Sequence, residues 1–126
     1  MLPAMKITSL HHASLQVSDL DRARGFYEGI LGLAPSSKRP NMPFDGVWYE
    51  IGPQQIHLLA LPSPEFGLDK PEHGGRDRHV ALTVADLPSL RAELDRAGIP
   101  YTLSRSGRPA LFCRDPDGNA FELIGS

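Results

Sequence analysis

The chain contains an internal repeat, and this repeat constrains the fold more than any other feature of its 126 residues. The segment HASLQVSDL at 12–20 returns as HVALTVADL at 79–87, with identical residues at five of nine positions and an offset of 67 residues. A repeating unit of this length, close to 67 residues, is too long for most solenoid repeats, and two copies are too few for a solenoid. We therefore predict two copies of one module.

Each copy of the repeat leads into the same succession of predicted elements. Apolar residues first recur at helical spacing, at Ala23, Phe26, Tyr27, Ile30 and Leu31 and then at Leu87, Leu90, Leu94 and Ala97. Strand patterns follow at 47–52 and 55–61 in the first half, and at 110–115 and 120–124 in the second. A short extra strand is predicted at 101–104, and Ser18 and Asp86 are predicted to cap the helices.

The length fits one domain over 1–126, built of modules at about 7–61 and 78–125. The segment between them, 62–77, is rich in Pro, Gly and charge and is predicted to be a connecting loop. Strands followed by helices within each half indicate an α+β fold.

The composition excludes several classes of partner. A net charge of −2 without a basic block gives no general attraction to nucleic acid or anionic lipid. No apolar run approaches the length of a membrane span, and the N-terminus lacks the apolar core of a signal peptide. The single Cys113 is typical of a reducing compartment, so we expect a cytoplasmic protein.

Strand periodicity places four potential metal ligands on one polar face. Side chains alternate along a strand, so His12 in the first copy lies opposite the apolar Ala13, Leu15 and Val17. His79 takes the same place in the second copy. The hairpin strands repeat the relationship, with His57 and Glu122 alternating with apolar neighbours. If the strands curve into a cup, the four side chains can converge.

Three imidazoles and one carboxylate suit a divalent first-row ion such as Zn, Ni, Fe, Mn or Co. His12, His79 and Glu122 alone form a set of two histidines and one carboxylate, which leaves coordination positions for substrate and water. His57 is then either a fourth ligand or a general base, because imidazole titrates near neutral pH.

In its repeat and its candidate ligands, the chain resembles the vicinal oxygen chelate superfamily, which includes glyoxalases, bleomycin resistance proteins and extradiol dioxygenases. The resemblance rests on the segments at 11–33, 78–87 and 112–124. It implies two tandem βαβββ modules that form a curved, cup-like mixed sheet with helices outside, and His12, His79 and Glu122 as metal ligands. Glyoxalase I-type proteins are the most similar group, through Gly46–Trp48, Gln55–Pro64, Pro71–His79 and Ser106–Glu122.

The resemblance implies a metal-dependent lyase or isomerase that binds two vicinal oxygens and stabilises an enediolate, with Glu122 as ligand and base. Glutathione is then a candidate co-substrate, although Gln16 and His57 stand where the resemblance implies Arg and Glu. It also implies a small-molecule substrate and a homodimer. Two alternatives stay open, a ring-cleaving dioxygenase that uses Fe(II) or Mn(II) and a non-catalytic drug-binding or resistance protein.

Four further residues are candidates for contact with the substrate. The cations Arg78 and Arg108 could meet an anionic group, the latter through its planar fork of donors. The aromatic side chains Trp48 and Phe112 could wall the cavity.

Overall fold

Each half of the chain forms its own β-sheet, in a computed structural model that describes residues 5–63, 65 and 67–126. Residues 1–4 of the predicted domain, and Pro64 of the predicted motif, lie outside the described residues. The first half comprises β1 (His12–Gln16), α1 (Leu20–Arg24), a π-helix (Gly25–Ile30), β2 (Gly46–Ile51) and β3 (Gln54–Leu59). The second comprises β4 (His79–Val84), α2 (Leu87–Ala97), β5 (Tyr101–Leu103), β6 (Ala110–Arg114) and β7 (Ala120–Gly125), after a 3₁₀-helix (Gly74–Arg76).

The two sheets share one topology. The first has the strand order β1-β3-β2 and the second β4-β7-β6-β5, and in both the repeated strand lies parallel to the last strand of its module. The extra strand of the second half is present as β5. In the first half, an isolated bridge between Pro35 and Tyr49 stands beside β2. These open mixed sheets with few helices confirm the predicted α+β fold.

Strand register shows that the duplication extends to single residues. In the first module His57 pairs with Ser14 of β1 and Trp48 of β2, and His12 lies two residues before Ser14. In the second module Glu122 pairs with Ala81 and Phe112, and His79 lies two residues before Ala81. The four candidate ligands therefore occupy equivalent places in two equivalent sheets.

The apolar faces of both sheets and both helical segments meet in a single core. Tyr27 of the π-helix is fully buried, with its ring centroid 5.9 Å from that of Tyr49 and 5.6 Å from that of Phe121 in the other module. Its hydroxyl donates a 2.6 Å hydrogen bond to the buried carboxyl of Asp115. Because the modules pack through their apolar faces, their polar faces are directed outward.

Helix caps agree with the sequence in the second module and differ in the first. Asp86 accepts a hydrogen bond from the Ser89 amide at the start of α2, as predicted. The cap of α1 is Asp19 and not Ser18, because the amide and hydroxyl of Ser18 both donate to Asp117 of the other module. In the described parts of the chain, no helix has the length and apolarity needed to cross a membrane.

Candidate metal centre

The outer faces of β1 and β4 carry the repeated histidines. Leu15 of β1 and Leu82 of β4 pack against the core, whereas His12 and His79 on the opposite faces are exposed. The alternation predicted from the sequence is therefore present in both strands.

On the first sheet, His12 and His57 form a stacked pair. Their ring centroids are 4.0 Å apart, and Trp48 stacks on the other side of His57 at 4.0 Å with the planes 3° from parallel. His57 Nε2 lies 2.7 Å from the amide oxygen of Gln55. Burial, with repulsion from the imidazoles of His12 and His11, lowers the pKa of His57 to about 4. His57 is therefore neutral at neutral pH, as a metal ligand must be.

On the second sheet, His79 faces Glu122. His79 Nε2 lies 3.5 Å from Glu122 Oε1, and His79 Nδ1 lies 2.9 Å from the carbonyl oxygen of Asp77. Donation from Nδ1–H to this carbonyl leaves the lone pair of Nε2 directed toward the carboxylate. Histidines that bind metals in proteins are commonly oriented in this way.

Glu122 is buried although it lies on the polar face. Its side chain is 5% exposed, and Oε2 accepts a 2.7 Å hydrogen bond from Nη2 of Arg108. Phe112, its neighbour on β6, packs edge-on against His79 with centroids 5.2 Å apart. One oxygen of the carboxylate is thus paired with a cation, and the other faces the Nε2 atom of His79.

Within one chain the four candidate ligands form two pairs and do not meet. His12 and His57 lie on one sheet and His79 and Glu122 on the other, and the sheets are joined through their apolar faces. Among the described residues, no group of three or more histidine, cysteine, aspartate or glutamate side chains is arranged to hold a metal ion. The convergence expected from a cup does not occur inside a single subunit.

The four candidate substrate contacts lie beside these pairs. Trp48 covers His57, Phe112 covers His79, and Arg108 binds Glu122. Arg78 precedes His79, is largely exposed and forms an ion pair with Glu65.

Sequence reasoning missed a set of residues that orient His79. Arg114 donates from Nη1 to Asp77 Oδ2 at 2.8 Å and from Nη2 to the Pro71 carbonyl at 2.7 Å. This guanidinium lowers the pKa of Asp77, whose own carbonyl faces His79. Arg114 lies in the predicted strand at 110–115, and the strand pattern offers no sign that its side chain reaches the loop before β4.

Gln55 was missed as well, although a signal for it existed. It lies two residues before His57 on the same strand and therefore on the same face.

Comparison with known proteins agrees with the fold and with the resemblance. The family model described as Glyoxalase/Bleomycin resistance protein/Dioxygenase superfamily matches residues 9–123. "Glyoxylase I 4" of Arabidopsis thaliana is 31% identical over 127 residues, covering 94% of this chain and 71% of the relative. A lactoylglutathione lyase of Escherichia coli O157:H7 is 30% identical over 122 residues, covering 91% and 90%.

A solved structure extends the likeness to three dimensions. The trypanothione-dependent glyoxalase I of Leishmania major superposes with a TM-score of 0.70 at 26% identity, covering 94% of this chain and 87% of that one. The predicted resemblance is thereby confirmed, and the relatives agree with the prediction of a lyase-type enzyme. The chain belongs to the glyoxalase/bleomycin resistance/dioxygenase superfamily.

Proposed function

We propose that the chain is a metal-dependent lyase or isomerase of the glyoxalase I type, active as a homodimer. Each metal site would take His12 and His57 from one subunit and His79 and Glu122 from the other. The observation that carries this proposal is the division of the candidate ligands into two outward-facing pairs on separate sheets. Neither pair is a sufficient site alone, and two subunits related by a twofold axis would complete two sites.

The second pair fits a divalent cation. A separation of 3.5 Å between His79 Nε2 and Glu122 Oε1 suits two ligands of one ion, and His79 Nδ1 is already anchored on the Asp77 carbonyl. Imidazole nitrogen with carboxylate oxygen is a donor set suited to Zn, Ni, Fe, Mn or Co. His12 and His57 would add two further nitrogens.

The outer faces of β1 and β4 support a partner subunit. Their outward residues are small or polar, and His12, Ser14, Ala81 and Thr83 are exposed in the isolated chain. A second subunit laid against these faces would enclose a cavity walled by Trp48 and Phe112.

The reaction would remove a proton next to a carbonyl group. The bound ion would supply Lewis-acid polarisation of two vicinal oxygens of the substrate, which acidifies the adjacent C–H bond. Glu122 would accept the proton on a carboxylate oxygen, in a buried position that excludes competing water. The lowered pKa of His57 favours its role as a ligand over its role as the base.

Relatives named lactoylglutathione lyase make a thiol adduct of an α-oxo aldehyde the substrate to test first. Gln16 lies on the same outer face as His12 and would have to bind glutathione without the charge of an arginine.

The shared site can be tested with heterodimers that carry two tags and are purified through both. One heterodimer pairs a His12→Ala subunit with a Glu122→Ala subunit, and its matched control pairs a subunit carrying both substitutions with a wild-type subunit. A shared site predicts about one metal ion per dimer in the first and almost none in the control. A site within one subunit predicts the reverse, so metal analysis alone separates the two.

Metal analysis of the wild-type protein tests whether the chain binds a metal ion at all. If the wild-type protein reloaded with Zn, Ni, Co, Mn or Fe(II) holds no ion, the proposal fails and a non-catalytic binding protein is favoured.

A further inference from the structure

Arg108 forms an ion pair with Glu122, a candidate metal ligand. The side chain of Arg108 is 54% exposed, whereas that of its partner Glu122 is 5% exposed. A buried carboxylate is costly unless a positive charge compensates it. Arg108 supplies that charge through its 2.7 Å contact with Oε2.

A divalent ion bound to Glu122 would make the compensation by Arg108 unnecessary. Three of the four candidate ligands are imidazoles, which bind a metal in their neutral form, so the metal-bound ligand set carries a single negative charge. With the ion and the guanidinium together, the site would have a surplus of about two positive charges, which a bound anion would offset. A neutral substrate would leave this surplus in a partly buried site.

We propose that Arg108 alternates between two partners, binding Glu122 in the metal-free protein and an oxyanion of the substrate in the metal-loaded protein. This inference rests on the proposed function, and it assigns the substrate class. The substrate carries a carboxylate, phosphate or phosphonate group beside the two oxygens that chelate the metal.

Three other cations near His79 are already engaged in ion pairs, which favours Arg108 for this role. Arg78 and Lys70 pair with Glu65, and Arg114 is engaged by Asp77 and two backbone carbonyls. Among the residues that the structure describes, Arg108 makes one ion pair, with Glu122, and its planar fork has further donors with which to bind an oxyanion through two hydrogen bonds.

The first measurement is metal affinity without substrate, by competition with a chelator at pH 8. Arg108→Met should bind Co(II) about fivefold more tightly than the wild type, because the ion no longer displaces a guanidinium from Glu122. Arg105→Met is the matched control, because Arg105 is exposed in the same loop and has no ion pair within the described parts of the chain. It should leave the affinity unchanged.

The second measurement compares two chelators on the Co(II)-loaded protein, followed by the visible absorption of the ion. Oxalate chelates through vicinal oxygens and keeps further anionic oxygens, whereas acetohydroxamate chelates without an additional anion. Arg108→Met should lower the affinity for oxalate about tenfold and change the affinity for acetohydroxamate by no more than about twofold. Arg108→Lys keeps the positive charge but not the planar guanidinium. Its affinity for oxalate should therefore fall about threefold, whereas its affinity for acetohydroxamate should not change.

The outcomes distinguish this inference from the proposed function. If the wild-type protein binds no Co(II), the proposed function fails and this inference fails with it. If it binds Co(II), but Arg108→Met weakens both chelators equally, weakens neither, or lowers the affinity for the ion, the inference alone is overturned.

Discussion

Trp48 and His57 lie face to face, with ring centroids 4.0 Å apart and planes 3° from parallel. Trp48 is the single tryptophan of the chain, so its fluorescence reports on this one place. We expect Co(II) or Ni(II) bound at His57 to quench that fluorescence, whereas diamagnetic Zn(II) should change it far less. A fluorescence titration with each ion provides the measurement.

Two variants sharpen this prediction. Glu122→Ala should abolish the quenching at low metal concentration, although Glu122 lies on the other sheet of the same chain. His73→Ala should leave it intact, because His73 contacts Thr102 Oγ1 through Nδ1 at 2.6 Å and packs its ring on Phe112 rather than on a candidate ligand. Quenching that survives in Glu122→Ala would show that His57 binds the ion without the second sheet.

Arg114 is expected to control metal affinity without touching the metal. Its guanidinium holds Asp77 and Pro71, and the Asp77 carbonyl orients His79. Arg114→Lys cannot make all of these contacts from one ammonium group, so the affinity for Zn(II) should fall about tenfold. Arg96→Lys, which alters a surface pair with Glu93, is the control. Equal affinities in the two variants would remove Arg114 from the support of the site.

The sequence predicted the parts of this site that follow from periodicity. The faces of β1 and β4, and the equivalence of His57 with Glu122, need only the alternation of side chains along a strand and the repeat. The arrangement of the two sheets was not predictable in this way. It depends on how Tyr27 and Phe121 pack between modules, and many packings satisfy the same alternation of apolar residues.

Contacts between residues far apart in the sequence could not be predicted either. The contact of Ser18 with Asp117 spans 99 residues, and it moves the cap of α1 to Asp19. The Arg114–Asp77 pair spans 37 residues. Local spacing carries no information on such pairs, because each depends on how two distant segments pack together.

The buried His57 should make the metal-free protein less stable in acid. Its pKa is about 4 in the folded protein, below the ordinary value of 6.5. Between these values the unfolded chain binds a proton that the folded chain does not, so the free energy of unfolding falls as the pH falls from about 6.5 to 4. We expect His57 to account for roughly 2 kcal/mol of that loss.

Urea unfolding of the chelator-treated protein at several pH values provides the measurement. His57→Leu should flatten the curve over this window, whatever the cost of the substitution at pH 7.5. Parallel curves for wild type and variant would assign the acid sensitivity to other groups.

The hydrogen bond between Tyr27 and Asp115 should contribute to holding the two modules together. The 2.6 Å bond is buried, and burial raises the pKa of Asp115 even though Tyr27 and Asn119 donate to its carboxyl group. Tyr27→Phe removes one donor and leaves a buried carboxyl oxygen with less compensation, so we expect a loss of about 1–3 kcal/mol in urea unfolding. Tyr101→Phe is the matched control, because the hydroxyl of Tyr101 accepts from Arg91 and donates to Asp95 at the surface, and its removal should cost less than about 0.5 kcal/mol. Similar losses in the two variants would show that the buried bond contributes no more than the surface one.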